Sequence, residues 1–327
     1  MTGPAEHLYA APMNASVVIQ GVRKRFGSTE AVRGIDLSVP AGCLCGVLGP
    51  NGAGKSTTIR MLMSIIYPDQ GSIRVLGSDA IAMKDRIGYL PEERGLYKKM
   101  RVLEYLAYIG ALKGLSGSEG RRRALAWLER IELPGVERKR CEELSKGMQQ
   151  KVQFIASVMH DPELIILDEP FSGLDPVNSR VLARIVTELH AGGCTILFST
   201  HQMHHAESLC DRVVLINRGE KLLDDSLDAV RAGHRPTTVV ARTDGPFEQA
   251  AAAAARVPGV ASVERAEDGS VLAHAADRTD AIDLLAPLAA TRLFSGVSLK
   301  RPTLDDIFVE LVTAHGGHAR QPEPNHA

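Results

Sequence analysis

The sequence predicts an α/β fold in two parts. One is a core of buried strands and helices around a phosphate-binding loop, interrupted by a helical subdomain. The other is a small α+β, ferredoxin-like domain. Three observations lead there. Short, almost wholly apolar runs at 43–49 ("CLCGVLG"), 164–169 ("LIILDE") and 194–200 ("CTILFST") read as parallel strands covered on both faces. Helical segments alternate with them, which means a three-layer α/β core. After about residue 233 the composition changes, and the order of elements becomes β-α-β-β-α-β, a split pattern of the ferredoxin type.

The elements follow in order. Residues 1–13 are expected as a flexible tail. The stretch 15–30 begins with a β-branched, alternating run. The strand at 43–49 precedes a helix at 56–66 ("STTIRMLMSII"), and short strands follow at 72–77 and 87–90. From about 98 to 160 the pattern is helical throughout and forms the inserted subdomain. The run 164–169 is a buried strand. The helix "SRVLARIVTELHAGG" is closed by glycines, and strands at 194–200 and 212–220 complete a first domain over 14–233. A linker, "GHRPTT", opens the accessory domain at 234–315. There Asp268-Gly269 stands where a hairpin must turn. Pro287 predicts a kink or early end in the second helix. Thr303 and Asp306 match a capping box for the last helix, and the alanine run 250–255 reads as a helix with a tight packing face. Residues 316–327 are expected as a disordered tail.

Composition excludes several classes. Net charge is −1, so no overall basic field argues for nucleic acid, and none is expected as a partner. No run of 18 apolar residues occurs, so the chain does not span a membrane by itself. The N-terminus lacks the basic start and apolar core of a signal peptide. Five cysteines, an odd number, are expected as reduced thiols in the cytoplasm.

The chemistry concentrates in a few stretches. "GPNGAGKST" (49–57) fits the phosphate-loop pattern after a strand and before a helix. Gly49, Gly52 and Gly54 let the backbone curl so that N–H groups point at phosphates, and the helix start adds positive potential. Lys55 would reach the β- and γ-phosphates and Ser56 would ligate Mg²⁺. Asp168 and Glu169 end an apolar strand. Asp168 would hold Mg²⁺ through water; Glu169, turned elsewhere by strand alternation, would serve the attacking water. His201 ends the next strand in "FSTH"; alone it reads as structural, but beside the other two motifs it would position the water. A second helix start, "LSKGMQQK" (144–151), has Ser145 as a natural N-cap and resembles a partial anion site.

These motifs resemble, in order and spacing, an ABC-type ATPase over roughly residues 15–233. "IGYLPEERGLY" (87–97) and "TLDDIFVEL" further resemble single-cassette ATPase subunits of bacterial exporters of the sodium-export and drug-resistance type. The resemblance implies ATP and Mg²⁺ as cofactors. It implies a nucleotide site drawn from Phe26 (adenine stacking), the loop Gly49, Pro50, Asn51, Gly52, Ala53, Gly54, Lys55, Ser56 and Thr57, and Glu92. To these it adds Ser145 and Gly147, which would bind a nucleotide held by another subunit, and Asp175, which would communicate across the dimer. Lys55, Glu169 and His201 would be catalytic; Ser56, Asp168 and Glu92 would surround the metal. The partners implied are a second ATPase subunit, as a homodimer, and a membrane permease that would keep the chain on the inner face of the membrane.

Two positions depart from the usual pattern. Glu92 stands where most cassettes have Gln, bringing a carboxylate toward the metal. Lys146 and Met148 replace Gly and Gln in the signature. The alternative readings are a soluble ABC ATPase acting on ribosomes or DNA, or an importer ATPase. Only one phosphate loop and no sustained heptad run occur, which favours transport. Among weaker signals, "HQMHHAE" (201–207) places His201 and His205 at i, i+4 but lacks further ligands, and the lesser alternative for Phe26 is an aromatic packed at a strand end. Cys43 and Cys45 read as core thiols, and "GRRRALAWLER" as a solvated helix face. The amphipathic stretch 98–112, with the loop at 92–99, is expected to receive a permease helix.

Overall fold

In the computed structural model, which describes residues 14–93, 95–276 and 279–314, the chain forms two compact units that divide between Ser226 and Leu227. Both expected tails, 1–13 and 316–327, lie outside the described residues.

The first unit starts with a long hairpin, β1 (Ala15–Phe26) and β2 (Thr29–Pro40), followed by β3 (Leu44–Leu48), α1 (Lys55–Leu62), β4 (Gln70–Val75) and β5 (Ile87–Leu90). Three helices come next: α2 (Val102–Leu112), α3 (Gly117–Arg130) and α4 (Lys146–Val158). Then β6 (Leu164–Asp168), α5 (Pro176–Ala191), β7 (Thr195–Thr200), α6 (Met203–Leu209), β8 (Arg212–Asn217) and β9 (Glu220–Ser226) alternate. β1, β2 and β4 make a small antiparallel sheet. The main sheet runs β5-β6-β7-β3-β8-β9, parallel except for β9.

Every residue of β3, β6 and β7 is buried, as continuous apolar runs demand of strands with both faces covered. The register matters more than the burial. β6 pairs with β7 (Asp168 opposite Ser199), and β7 pairs with β3 (Thr200 opposite Leu48). Three neighbouring strands therefore end on one edge, where open α/β sheets bind ligands.

Helix α1 ends at Leu62, four residues before its expected end. Ser64 adopts a left-handed φ of +54°, and the N–H groups of Ile65 and Ile66 both return to the Arg60 carbonyl (2.9 and 3.3 Å). That closes the helix with a left-handed residue despite the helical spacing of Ile65 and Ile66. In the helical subdomain, the Arg-rich face of α3 is occupied by its own carboxylate. Glu119 accepts from Arg122 (2.7 Å) and Arg123 (2.6 Å).

The second unit contains α7 (Leu227–Gly233), β10 (Thr238–Arg242), α8 (Phe247–Ala255), β11 (Val260–Arg265), β12 (Val271–Ala275), α9 (Leu285–Ala290), β13 (Gly296–Lys300) and α10 (Leu304–Ala314). Its antiparallel sheet runs β11-β12-β10-β13, the ferredoxin-like order. Ala250 and Ala254 are buried against it, so the alanine run gives a close helix–sheet contact. Helix α7 groups with this unit, so packing divides the chain ahead of the linker that composition marks after residue 233. Pro287 lies near the start of its helix. Residues Ala281–Leu284 form a 3-10 turn and α9 starts after it, which puts Pro287 in a first turn where its missing N–H has no partner to lose. The capping box forms as expected: Thr303 N donates to Asp306 (2.9 Å) and Asp306 N to the Thr303 hydroxyl (3.1 Å).

Two histidines of the first unit are held neutral. Burial, helped by the Lys113 charge, pushes His160 down to about 4, and its Nε2 faces the Ile87 carbonyl at 3.2 Å. Burial, then the neighbouring His204, pushes His205 down to about 4. A histidine whose folded pKa lies below its unfolded value contributes stability that is lost as pH falls. The first unit should therefore lose stability between about pH 6.5 and 4, and His160→Gln should flatten that loss. Thermal melts at stepped pH check this; parallel curves for wild type and variant would show that His160 is not a source.

Candidate active site

The loop after β3 closes against the neighbouring strands. Gly49 has φ +148°, and a Cβ there would meet the Ile216 carbonyl at 2.0 Å. Gly54 has φ +108°, and a Cβ would lie 2.6 Å from the Ala31 carbonyl. Only glycine satisfies both constraints at either place. The result is a cavity of about 350 Å³, lined by Ala31, Asn51, Gly52, Ala53, Gly54, Lys55, Ser56, Thr57, Glu92 and Glu169.

Lys55 is buried at 5% exposure. Its ammonium donates to the carbonyls of Gly49 (2.8 Å) and Pro50 (3.2 Å) and lies 3.5 Å from Glu169 Oε1. Glu169 is also buried, at 6%, and its Oε1 sits 3.0 Å from His201 Nδ1. Lysine, glutamate and histidine thus form one chain of contacts at the cavity wall. Ser56 sits at the start of α1, and its hydroxyl donates to Asp168 Oδ1 (3.1 Å).

Asp168 is 1% exposed. Two hydroxyls, from Ser56 and Ser199 (2.5 Å), converge on Oδ1. Oδ2 is buried with no hydrogen-bond partner. Burial pushes this carboxyl above the usual carboxylate range, partly opposed by the two hydroxyl bonds. A buried oxygen with free lone pairs, on a carboxylate whose other oxygen meets Ser56, fits a hard divalent cation or its water.

Asp168 and Glu169 do diverge, but strand alternation is not the cause. Asp168 is the last residue of β6, and Glu169 follows it in the left-handed region at φ +50°. A non-glycine residue held there costs roughly 1–3 kcal/mol. Its N–H is held by both the carbonyl (3.2 Å) and the hydroxyl (3.1 Å) of Ser199. Ser199 was not singled out from sequence. In the sequence it is one polar residue of "FSTH"; its signal is its place two residues before His201, on the strand that pairs with β6.

Phe26, Ser145, Gly147 and Asp175 do not line the cavity. Phe26 ends β1, half exposed, with the Lys24 ammonium 5.5 Å from its ring centre. Ser145 caps α4, accepting from Met148 N (3.3 Å). Asp175 caps α5, accepting from Val177 N (3.0 Å) and Asn178 N (2.9 Å), which lowers its pKa. The two caps are neighbours: a Cβ on Gly147 would lie 3.5 Å from Leu174 and 4.0 Å from Asn178. The chain therefore carries two separate groups of site residues. His201 precedes α6 and His205 stacks on Phe171 at 4.0 Å, so the two do not form a ligand pair. Among the described residues no cluster of three or more metal-ligating side chains occurs.

Residues 32–172 match the ABC transporter family, and residues 226–312 match the C-terminal domain of DrrA1-3-like ATP-binding proteins. The uncharacterized ABC transporter ATP-binding protein YhaQ of Bacillus subtilis is 40% identical over 301 residues, 91% of this chain and 99% of that protein. This chain belongs to the ATP-binding subunits of ABC transporters. As an ABC ATPase it is an ATP-hydrolysing enzyme. The ABC ATPase is also 34% identical to the daunorubicin resistance ATP-binding protein DrrA3 of Streptomyces coeruleorubidus, over 91% of this chain and 96% of that one. A solved ATP-binding subunit of an ABC transporter superposes with a TM-score of 0.62 at 30% identity, covering 66% of the ABC ATPase and 92% of that chain. A nucleotide-free ATP-binding cassette at 24% identity and TM-score 0.59 shares the fold.

The buried Asp168 carboxylate sets up a trade between stability and activity. Its raised pKa means that, without a cation, ionisation destabilises the fold as pH rises above the carboxylate range. Asp168→Asn should raise the melting temperature of the nucleotide-free protein at pH 7 by about 2–4 °C, the shift that ~1 kcal/mol produces in a unit of this size. It should also lower ATP turnover by about a hundredfold or more. Calorimetry with a phosphate-release assay checks both; a lower melting temperature would contradict the electrostatic account.

Proposed function

We propose that this chain is the motor subunit of an ABC exporter. It would work as a head-to-tail homodimer that moves a separate membrane permease. The observation that carries this reading is the separation of the two groups of site residues. Lys55, Ser56, Glu92 and Glu169 surround a phosphate cavity, while Ser145, Gly147 and Asp175 cluster outside it. A helix start carrying Ser145 is suited to an anion, and a second copy supplies one without any change to either group. Export is supported by relatives named for drug resistance and by the C-terminal domain shared with them. No helix among the described residues is long and apolar enough to cross a membrane, consistent with a permease as a separate subunit.

The chemistry follows from the groups in place. The loop N–H groups between Gly49 and Thr57 cradle the phosphates, and Lys55 exchanges its loop carbonyls for phosphate oxygens. Ser56, Asp168 and Glu92 would hold Mg²⁺, which neutralises charge on the phosphates when bound. Glu169 accepts the proton of the attacking water. His201, bonded to that carboxylate through Nδ1, holds it in place. Phe26 offers a half-exposed ring for stacking on adenine. Ser145 and Gly147 bind the γ-phosphate held by the other copy, so its loss on hydrolysis removes what joins the two. The exposed tyrosines Tyr97 and Tyr108, in contact at 5.8 Å, offer a surface for a permease helix.

Glu169→Gln should accumulate an ATP-bound dimer with turnover reduced by about a hundredfold or more, seen by size-exclusion chromatography and phosphate release. Ser145→Arg should abolish turnover and that dimer while leaving ATP affinity within a few-fold of wild type. A Ser145→Arg protein that turns over normally would refute the composite site.

A further inference from the structure

We propose that Ser199 is the positioning residue of the acidic pair, directing Asp168 toward the cation and fixing the turn that presents Glu169. The proposal rests on the reading of Asp168 as a Mg²⁺-holding residue. Ser199 is fully buried in β7. Its hydroxyl lies 2.5 Å from Asp168 Oδ1 and 3.1 Å from the Glu169 amide nitrogen.

The direction of both bonds follows from proton counting. A hydroxyl has one proton and two lone pairs. The Glu169 N–H only donates, so it takes a lone pair of Ser199 Oγ. The serine proton then has to go to Asp168. The Ser56 hydroxyl donates to the same oxygen, at 3.1 Å. Oδ1 thus receives two donors, and Oδ2 receives none although it is buried. A carboxylate free to turn would share its donors between both oxygens, because a buried acceptor without a partner is destabilising. Ser199 keeps that asymmetry and leaves one oxygen with its lone pairs open to a cation. The same hydroxyl helps hold Glu169 at φ +50°, where a non-glycine residue does not rest unaided. One side chain therefore sets the orientation of the metal carboxylate and the backbone of the proposed base.

The test uses the full chain, Mn²⁺ as a spectroscopic stand-in for Mg²⁺, and a non-hydrolysable ATP analogue. Ser199→Ala removes the hydroxyl. Ser199→Cys keeps the side chain's shape but offers a much weaker donor. Groups behind a metal ligand typically affect affinity by 10–100-fold. Both variants should weaken Mn²⁺ binding, followed by electron paramagnetic resonance, by about tenfold or more, while analogue binding in EDTA stays at the wild-type level. Wild-type Mn²⁺ affinity in either variant would overturn the proposal, as would an equal loss of analogue binding in EDTA. Asp168→Asn separates the two claims. If it binds Mn²⁺ like wild type, the reading of Asp168 fails. If it binds weakly and the Ser199 variants bind normally, the role of Ser199 fails alone.

Discussion

Parallel strands in register end on one edge of a sheet, and here β6, β7 and β3 end there side by side. Everything in the cavity depends on that. β3 delivers the phosphate loop, β6 delivers Asp168 and Glu169, and β7 delivers Ser199 and His201. The three strand ends are far apart in sequence. The strands are buried on both faces, so a slip of one residue would reverse every side chain between two packed layers. Burial thus does more than stabilise the sheet. It sets the register that brings Ser199 opposite Asp168, and with it the hydrogen bonds of the site.

Low exposure also explains why the charged groups of the cavity are so interconnected. Lys55 and Glu169 are almost as buried as the apolar core. Charges withdrawn from water need partners. Lys55 finds two carbonyls and a carboxylate, and Glu169 finds an ammonium and an imidazole. Asp168 is the exception, with one oxygen satisfied twice and the other left open. Structures satisfy nearly all buried polar atoms, and on the proposed reading this oxygen is the one left for the cation.

Much of this was legible in the chain. The phosphate loop is contiguous, and its glycines, lysine and serine sit where a strand gives way to a helix. The strand core was legible because apolar runs leave few other choices, and the second unit because its elements alternate in a recognisable order. What escaped is non-local. Ser199 has no meaning until β7 is known to lie against β6. The end of α1 depends on a left-handed serine that apolar periodicity does not encode. Pro287 predicts a kink or early end in the second helix, but the 3-10 turn at Ala281–Leu284 precedes α9 and puts the proline in its first turn. The divergence of Asp168 and Glu169 was foreseen, yet it arises from a turn, not from the pleat.

Lys55 is held by its own loop. Its ammonium is already satisfied by the loop it belongs to, through the carbonyls of Gly49 and Pro50. The loop and its lysine therefore support each other. On the proposed reading, phosphate does not fall into an open hole; it would displace two carbonyls that serve as its substitutes. Binding strength at this lysine is thus a difference between two sets of bonds. On that reading the same swap would free two backbone oxygens of the loop when a nucleotide binds.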